Sequence, residues 1–373
     1  MRYNGGMDEP AGRNRVGALL AAILAASAAI RFARLGAQSL WIDEILSVKM
    51  FTAPEGVSYW QKLLHDVHGP LYSLFMHFWS MASMDEAWLR LPSAAAGVLA
   101  VYLVYRWLEG FGGPSAGLAG ARFMALSPFH LYYSQEIRFY SFLVLFSAAS
   151  LIAFERFLRD PSTRSGLRLG LALALACLAH LSALFLVAAF ALYLLFTKRL
   201  RGGYLRGGAM GAALVLLAIS PWIYREIVYI RSIRVVGVAA LPVEERLRGE
   251  LTLSPWSYPY LAYAFSVGYS FGPSLGELHE IVSPRAMLAA HAGALVASAA
   301  IFAPLAAAGL VGAARRRRLG YFATVIGVAA ASVTAATAMN VKVFNARYLL
   351  CAFPLYIGLL AIGLPEKRVW RWI

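Results

Sequence analysis

Ten long apolar runs divide this 373-residue chain, and they restrict its fold more than any other feature of the sequence. The hydrocarbon core of a bilayer is about 30 Å thick and needs roughly 20 mostly apolar residues in a helix. The predicted spans are residues 16–35, 88–108, 115–131, 138–156, 168–181, 182–197, 207–224, 286–312, 319–339 and 348–364. The fifth and sixth are short and meet at His180, which predicts a tight helical hairpin. We therefore expect an all-α integral membrane protein.

The composition agrees with a membrane protein. Apolar residues make up 60% of the chain and charged residues 14%, whereas soluble domains average about 45–50% and about 25%. The two cysteines, Cys177 and Cys351, lie inside apolar runs, which excludes a disulfide scaffold and a zinc site built on thiolates. Arg13 and Arg15 precede the first run as in a signal peptide. Cleavage stays an alternative, although the topology closes better with ten spans.

The net charge of +15 records the topology of the chain rather than an affinity for nucleic acid. With a cytoplasmic N-terminus, the cytoplasmic segments hold nineteen basic and six acidic residues, and the opposite side holds fourteen and thirteen. Arg122, inside the third span, completes the count. Because cytoplasmic loops are enriched in Lys and Arg, we predict that both termini are cytoplasmic. No nucleic-acid partner is expected.

Two long connections lie on the predicted outer side, residues 36–87 and 225–285. Long connections in compact proteins are usually functional, and both are rich in aromatic residues, which favour the membrane interface. We expect interfacial helices there. The chain is interpreted as one continuous membrane domain. No soluble domain is expected after residue 364.

Polar and ionisable residues form five clusters at the predicted outer face. They centre on Asp43-Glu44, on His68, on Glu136 and Arg138, on His180, and on Arg347-Tyr348. Each has an ordinary alternative: an acidic pair that caps a helix, a turn histidine, an ion pair with headgroups, or an arginine that snorkels to the interface. Their shared side, fixed by the Lys and Arg count alone, favours one common site.

Carboxylates beside cations suit the transfer of a sugar from a lipid phosphate. A carboxylate serves as the base for an acceptor hydroxyl, and cations stabilise the phosphate that leaves. A glycosidase would instead need two carboxylates flanking the bond. A glycine-rich loop that cradles phosphates is absent from the sequence, which argues against an ATP-dependent enzyme.

Four motifs carry a resemblance to a known group of enzymes. They are Trp41-Ile42-Asp43-Glu44, His68-Gly69-Pro70-Leu71-Tyr72, Arg90-Leu91-Pro92-Ser93 and Ser134-Gln135-Glu136-Ile137-Arg138-Phe139-Tyr140. This succession resembles the bacterial GT-C glycosyltransferases of the protein O-mannosyltransferase and aminoarabinose-transferase group. The resemblance covers about residues 16–200, and Arg347-Tyr348 before the last span matches more loosely. It implies a catalytic transmembrane module at residues 1–200 and a variable transmembrane module at residues 201–373.

The resemblance implies a GT-C bundle of about ten transmembrane helices, a polyprenyl-phosphate donor of a hexosyl or pentosyl group, and inversion at the anomeric carbon. It implies that Asp43 and Glu44 are the catalytic residues and that Asp43 activates the acceptor. Arg138 and Arg347 match positions expected to hold the donor phosphate. The rest of the expected substrate-binding set is His68, Tyr72, Arg90, Glu136, Tyr140, His180 and Tyr348. Relatives have Pro-Pro after the position of His68, whereas this chain has Gly69-Pro70.

The resemblance leaves the cofactor and the acceptor open. A divalent cation, Mg²⁺ or Mn²⁺, is the one cofactor that it suggests, with Asp43 and Glu136 as candidate ligands. The acceptor is a lipid, a glycan or a protein hydroxyl, selected by the second outer loop or by a partner. Two other classes are alternatives: a transporter or lipid flippase, which predicts charged groups at mid-membrane such as Arg122, and a structural subunit of a cell-envelope assembly.

Overall fold

The structure, a computed structural model, describes residues 10–52, 58–65, 69–236, 257–274, 277, 284–338 and 345–364. Every regular element in these ranges is a helix, so the prediction of an all-α protein is confirmed. The first seven helices are α1 (Pro10–Phe32), α2 (Ile42–Thr52), α3 (Tyr59–His65), α4 (Pro70–Ser80), α5 (Glu86–Leu126), α6 (Pro128–Ser134) and α7 (Tyr140–Arg159). The next seven are α8 (Thr163–Ala179), α9 (Leu184–Phe196), α10 (Gly202–Val236), α11 (Ser257–Val267), α12 (Pro284–Arg315), α13 (Leu319–Ala338) and α14 (Phe353–Gly363). Two 3₁₀ helices, Leu181–Ala183 and Ala346–Ala352, precede α9 and α14.

Helix α5 contains two of the predicted spans. Its 41 residues would extend about 60 Å as a straight helix, about twice the thickness of a bilayer core. Gly113 breaks it with a φ of 78° and a ψ of 176°, a conformation that glycine adopts without a steric penalty. The break lies between predicted spans 88–108 and 115–131. Residues 113–117 also match the Gly-Xaa-Ser-Xaa-Gly pattern of hydrolases, but Ser115 is buried within this helix, whereas that motif needs a strand-to-helix turn.

The helices account for the ten predicted spans in two ways. Seven segments of the described chain are long and apolar enough to cross a membrane: α1, α5, α7, α10, α12, α13 and Ala346–Gly363. Helix α5 contributes two crossings because of its break. The predicted hairpin around His180 supplies the other two, through the 17-residue α8 and the short apolar segment Leu181–Phe196. The predicted third span ends five residues early, at Leu126, because Ser127 and Pro128 begin a new helix.

Helices α8 and α10 pack in direct backbone contact. A Cβ atom on Gly166 would lie 2.1 Å from the carbonyl oxygen of Gly207, and one on Gly170 would lie 2.5 Å from that of Gly211. Small residues four apart allow membrane helices to approach this closely. The contact crosses the predicted module boundary at residue 200, which stays a prediction.

The first outer connection forms the short helices α2, α3 and α4, which join α1 to α5. The indole N–H of Trp79 donates to the carbonyl of Trp88 (2.9 Å), and the indole N–H of Trp88 donates to that of Trp79 (3.1 Å). The two stacked rings therefore lock α4 against the start of α5. Ile42, Trp60, Phe78 and Met81 expose their side chains, as expected for helices at a membrane interface. In the second outer connection, the described residues form the end of α10, α11 and the start of α12.

Candidate active site

Three distant segments meet beside the first turn of α2. They are the start of α5, the turn 135–139 between α6 and α7, and the 3₁₀ helix Ala346–Ala352. Asp43 and Glu44 lie in that first turn, where the helix dipole stabilises negative charge. Because successive residues of a helix point about 100° apart, the two carboxylates enter different surroundings.

Asp43 lies beside two guanidinium groups from opposite ends of the chain. Its Oδ2 atom is 3.3 Å from Nη1 of Arg347 and 3.9 Å from Nη2 of Arg138. The side chains of Asp43 and Arg347 are 24% and 28% exposed, and that of Arg138 is 9% exposed. The arrangement places an accessible carboxylate next to two fixed positive charges.

The position of Arg138 is fixed from several sides. Its Nη1 atom donates to Ser47 Oγ (3.1 Å) and to the carbonyl of Asp43 (3.4 Å). Its guanidinium also lies 4.9 Å from the ring centroid of Phe139 and 5.5 Å from that of Tyr140. Such contacts with aromatic rings favour a cation. These contacts restrict the side-chain conformations of Arg138 and hold its positive charge close to Asp43.

Glu44 is buried and fully engaged with Arg90. Nε of Arg90 donates to Oε1 (2.8 Å) and Nη2 donates to Oε2 (2.7 Å), a bidentate pair. The backbone N–H of Ile137 donates to Oε1 at 2.9 Å. Arg90 Nη1 also donates to the carbonyls of Leu35 and Gln38, at 2.6 and 2.8 Å. One buried ion pair thus joins the segment after α1, the start of α2, α5 and the turn that carries Arg138.

A second arginine joins the same parts of the chain. Arg31, fully buried at the end of α1, donates to the carbonyls of Met124 and Ala125, at 3.1 and 2.9 Å. These carbonyls belong to the last turn of α5, where helical partners are missing. In return, Nε2 of Gln135 donates to the carbonyls of residues 30, 31 and 33 at the end of α1. We call Arg31 and Gln135 the reciprocal clamp.

Glu136 is a buried carboxyl group that interacts with the Tyr132 hydroxyl. Burial raises the pKa of Glu136 to about 8, and the negative charges of Glu44 and Asp43 act in the same direction. At neutral pH the group is therefore mostly protonated, and it can donate a hydrogen bond.

Aromatic and histidine side chains line the site on the side of α7 and α8. The His180 ring stacks between Phe139 and Tyr348, with centroid distances of 4.9 and 6.0 Å. Its Nδ1 atom bonds Ser182 Oγ at 2.8 Å, which orients the ring. Buried Tyr140 packs against Phe139. These contacts bring Tyr140, His180 and Tyr348 to the same place as Arg138 and Arg347.

Tyr72 lies beneath the site, and its neighbour Gly69 fixes the approach of α4. The Tyr72 hydroxyl lies 3.4 Å from Ser93 Oγ, which donates to the carbonyl of Arg138. A Cβ atom at Gly69 would lie 2.1 Å from the carbonyl oxygen of Leu178, so any other residue, proline included, would clash with α8. This contact explains why glycine replaces the first proline of the related motif. His68 lies outside the described residues.

The described residues fit a metal ion poorly. They contain no group of three or more His, Cys, Asp or Glu side chains that could hold one. The two predicted ligands differ in state, since Asp43 faces two guanidiniums and Glu136 is mostly protonated at neutral pH. A divalent cation stays a prediction.

Sequence reasoning missed three residues that organise the site: Ser47, Arg31 and Gln135. Ser47 follows Asp43 by four residues on one helix, a spacing that places both side chains on the same face. The position of Ser47 beside Asp43 was therefore predictable. The reciprocal clamp has no comparable signal, because its partners are 94 and 104 residues apart.

Comparisons with known proteins concern the fold of this chain. Residues 67–224 match the family described as dolichyl-phosphate-mannose-protein mannosyltransferase. ArnT from Cupriavidus metallidurans in the apo state has 15% identity and a TM-score of 0.61, over 97% of this chain and 62% of that chain. The archaeal oligosaccharyltransferase AglB from Archaeoglobus fulgidus, in complex with an inhibitory peptide and a dolichol-phosphate, has 14% identity and a TM-score of 0.52, over 94% and 50%.

The family match and the structural matches cover different shares of this chain and of the related proteins. The family match covers less than half of the chain, and the chain spans 62% of ArnT and half of AglB. No curated protein matches the sequence. What the structural similarity establishes is the architecture: this chain has the GT-C fold of membrane glycosyltransferases.

Proposed function

We propose that the protein is a glycosyltransferase that moves a sugar from a polyprenyl-phosphate donor to an acceptor hydroxyl. The reaction takes place at the outer face of a bacterial cytoplasmic membrane, with both termini in the cytoplasm. The observation that carries the proposal is the position of Asp43, an accessible carboxylate 3.3 Å from Arg347 and 3.9 Å from Arg138. In support of the proposal, the matching family is that of dolichyl-phosphate-mannose-protein mannosyltransferase, and the AglB structure contains a dolichol-phosphate.

In this reaction Asp43 acts as the base. The acceptor oxygen attacks the anomeric carbon, the bond between that carbon and the donor phosphate breaks, and Asp43 takes the hydroxyl proton. Attack from the side opposite the phosphate inverts the configuration. Arg138 and Arg347 stabilise the negative charge that develops on the departing phosphate oxygens. No general acid is needed, because a phosphate is a weak base.

Several other predicted residues have distinct roles in this proposal. Glu44 and Arg90 satisfy each other in a buried pair, so we assign them to holding the site together rather than to contact with substrate. Glu136, as a neutral carboxyl group, is suited to donate a hydrogen bond to the sugar or the phosphate. Tyr140, His180 and Tyr348 form an aromatic wall suited to a sugar ring. A lipid, a glycan and a protein hydroxyl are all chemically competent acceptors.

The decisive experiment compares Asp43→Asn with the control Asp160→Asn. Asp160 is an exposed carboxylate at the C-terminal end of α7, whereas the candidate site lies at the N-terminal end of that helix. Membranes from a deletion strain that expresses each variant are incubated with polyprenyl-phosphate sugars extracted from the wild-type strain. Glycolipids and glycoproteins are then compared by mass spectrometry. We expect the Asp43 variant to lose the product at normal expression and the Asp160 variant to retain it. Normal turnover by Asp43→Asn would remove Asp43 as the base, and an unchanged product profile in the deletion strain would refute the proposed function.

A further inference from the structure

A cavity lies within the helical bundle, and Asp43 is not among its lining residues. It has a volume of about 610 Å³ and lies between the second half of α5, α11, α12 and α14. Ligand pockets typically measure about 300–1,000 Å³. Its described lining is almost entirely apolar, with Phe123, Phe302 and Leu360 as examples, and Arg122 is the one charged residue in that lining. We call this cavity the Arg122 groove.

Arg122 differs from the arginines that build the site. Arg31 and Arg90 donate to carbonyls or to a carboxylate, whereas no hydrogen bond or ion pair joins Arg122 to another described residue. A charged arginine at membrane depth costs several kcal/mol unless it finds a partner or reaches the interface. Arg122 lies five residues before Ser127, about 7.5 Å along the helix. Its long side chain can therefore reach the level of lipid headgroups.

An aromatic layer separates the groove from the candidate active site. Phe129 packs against Phe265 and Phe353, with centroid distances of 5.1 and 5.5 Å. Tyr133 bonds the Tyr269 hydroxyl at 3.1 Å, and its ring packs 4.8 Å from that of Tyr140. Phe265 lines the groove, while Tyr140 faces Arg138. A molecule in the groove is thus on the opposite side of these rings from Asp43.

We propose that the Arg122 groove binds an anionic phospholipid, with its phosphate on Arg122 and one acyl chain along the apolar surface of α14. The charge of Arg122 selects an anion, and the apolar lining selects a hydrocarbon chain. Among such molecules the groove favours a bulk phospholipid over the sugar donor, because a phosphate held there is screened from Asp43 by the aromatic layer. The inference requires a membrane-embedded chain and does not depend on the proposed sugar transfer.

The test measures lipid binding to the purified full-length protein by native mass spectrometry. The probes are phosphatidylglycerol and phosphatidylethanolamine with identical acyl chains, so that only the headgroup charge differs. We expect phosphatidylglycerol to bind wild-type protein more tightly, and Arg122→Gln to reduce its affinity roughly tenfold, as removal of one charge-assisted contact does. Arg122→Lys should retain most of the binding. The control Arg106→Gln removes an exposed cation on α5 before the break at Gly113, and it should retain all of the binding.

Several outcomes would overturn the proposal. One is equal binding of the two lipids, and another is equal binding of phosphatidylglycerol by wild-type protein and by Arg122→Gln. A third is displacement of phosphatidylglycerol by polyprenyl phosphate from wild-type protein only, which would identify the groove as the donor site. Thermal unfolding of each variant is measured in parallel. Because Arg122 has no described partner, Arg122→Gln should fold with unchanged or higher stability, which separates loss of binding from loss of structure.

Discussion

Replacing each carboxylate of the Asp43-Glu44 pair by its amide should separate stability from catalysis. Glu44→Gln keeps the size of the side chain but removes the charge opposite Arg90, which is 4% exposed. The amide presents hydrogen-bond donors to atoms that are themselves donors, namely Arg90 Nε and Nη2 and the Ile137 N–H. Removal of one partner from a buried ion pair costs about 3–5 kcal/mol. Arg90 keeps its bonds to two backbone carbonyls, so we expect the lower end, about 3 kcal/mol.

Asp43→Asn should behave differently, because its carboxylate is partly exposed and its ion pairs are 3.3 and 3.9 Å long. Exposed pairs contribute about 0–1 kcal/mol. At roughly 2 °C per kcal/mol, the value for large domains, Glu44→Gln should lower Tm by about 6 °C and Asp43→Asn by about 2 °C at most. Sugar transfer should show the reverse order below the unfolding temperature, with the larger loss for Asp43→Asn.

The assay is thermal unfolding in detergent, followed by tryptophan fluorescence at pH 7, with transfer measured on the same preparations. Equal losses of Tm in the two variants would refute the distinction between a bracing and a catalytic carboxylate. A Glu44→Gln protein with wild-type Tm and no transfer would instead show that Glu44 acts on the reacting groups. As a control, the double variant Glu44→Gln/Arg90→Met should be more stable than Glu44→Gln, because it removes the uncompensated buried charge.

Further predictions concern single positions. The Glu136 carboxyl ionises near pH 4.5 when unfolded and near pH 8 when folded, so the free energy of unfolding should fall as pH rises between these values, and denaturant titrations should show this slope weakened in Glu136→Gln. Gly69→Ala should lower the free energy of unfolding by about 1–3 kcal/mol, because the added Cβ meets a backbone carbonyl. Tm and sugar transfer should both fall as a result. Gly166→Leu should separate α8 from α10 and lower Tm, whereas Gly208→Leu, with open space around its Cβ, should not. Gln135→Ala should lower kcat more than it changes KM, measured at saturating donor, because it loosens α1 without removing a substrate contact.

Much of the architecture followed from the sequence, because bilayer thickness fixes the length of an apolar helix. The break in α5 fell where Gly113-Pro114 interrupts an apolar stretch, and the hairpin at His180 is present as expected. The end of the third span was misplaced, because Ser127-Pro128 starts a new helix inside an apolar run, where hydropathy carries no boundary signal. The last predicted span, 348–364, agrees with the apolar segment Ala346–Gly363, but its first turns are the 3₁₀ helix Ala346–Ala352, which hydropathy does not distinguish from an α-helix.

The site was less predictable than the spans. Motif order and membrane sidedness indicated that Asp43, Arg138 and Arg347 belong together, and the structure places them in contact. To predict the distinct surroundings of Asp43 and Glu44, one must know which segments pack on each face of α2. The reciprocal clamp requires such knowledge too, because hydrogen bonds between segments about 100 residues apart leave no periodic trace in a sequence.

That clamp also has a consequence for biosynthesis. As the chain emerges from the ribosome, α1 enters the membrane with the carbonyls at its end unpaired. Their partner, Gln135, is made 104 residues after Arg31, when α2 to α6 have already been synthesised. Until Gln135 is made, the segment that carries Asp43 has the Glu44–Arg90 pair with α5 but lacks this half of the clamp. The site itself is complete only once Arg347 has been made, and a truncation before residue 135 would leave membrane-inserted helices with neither the clamp nor the site.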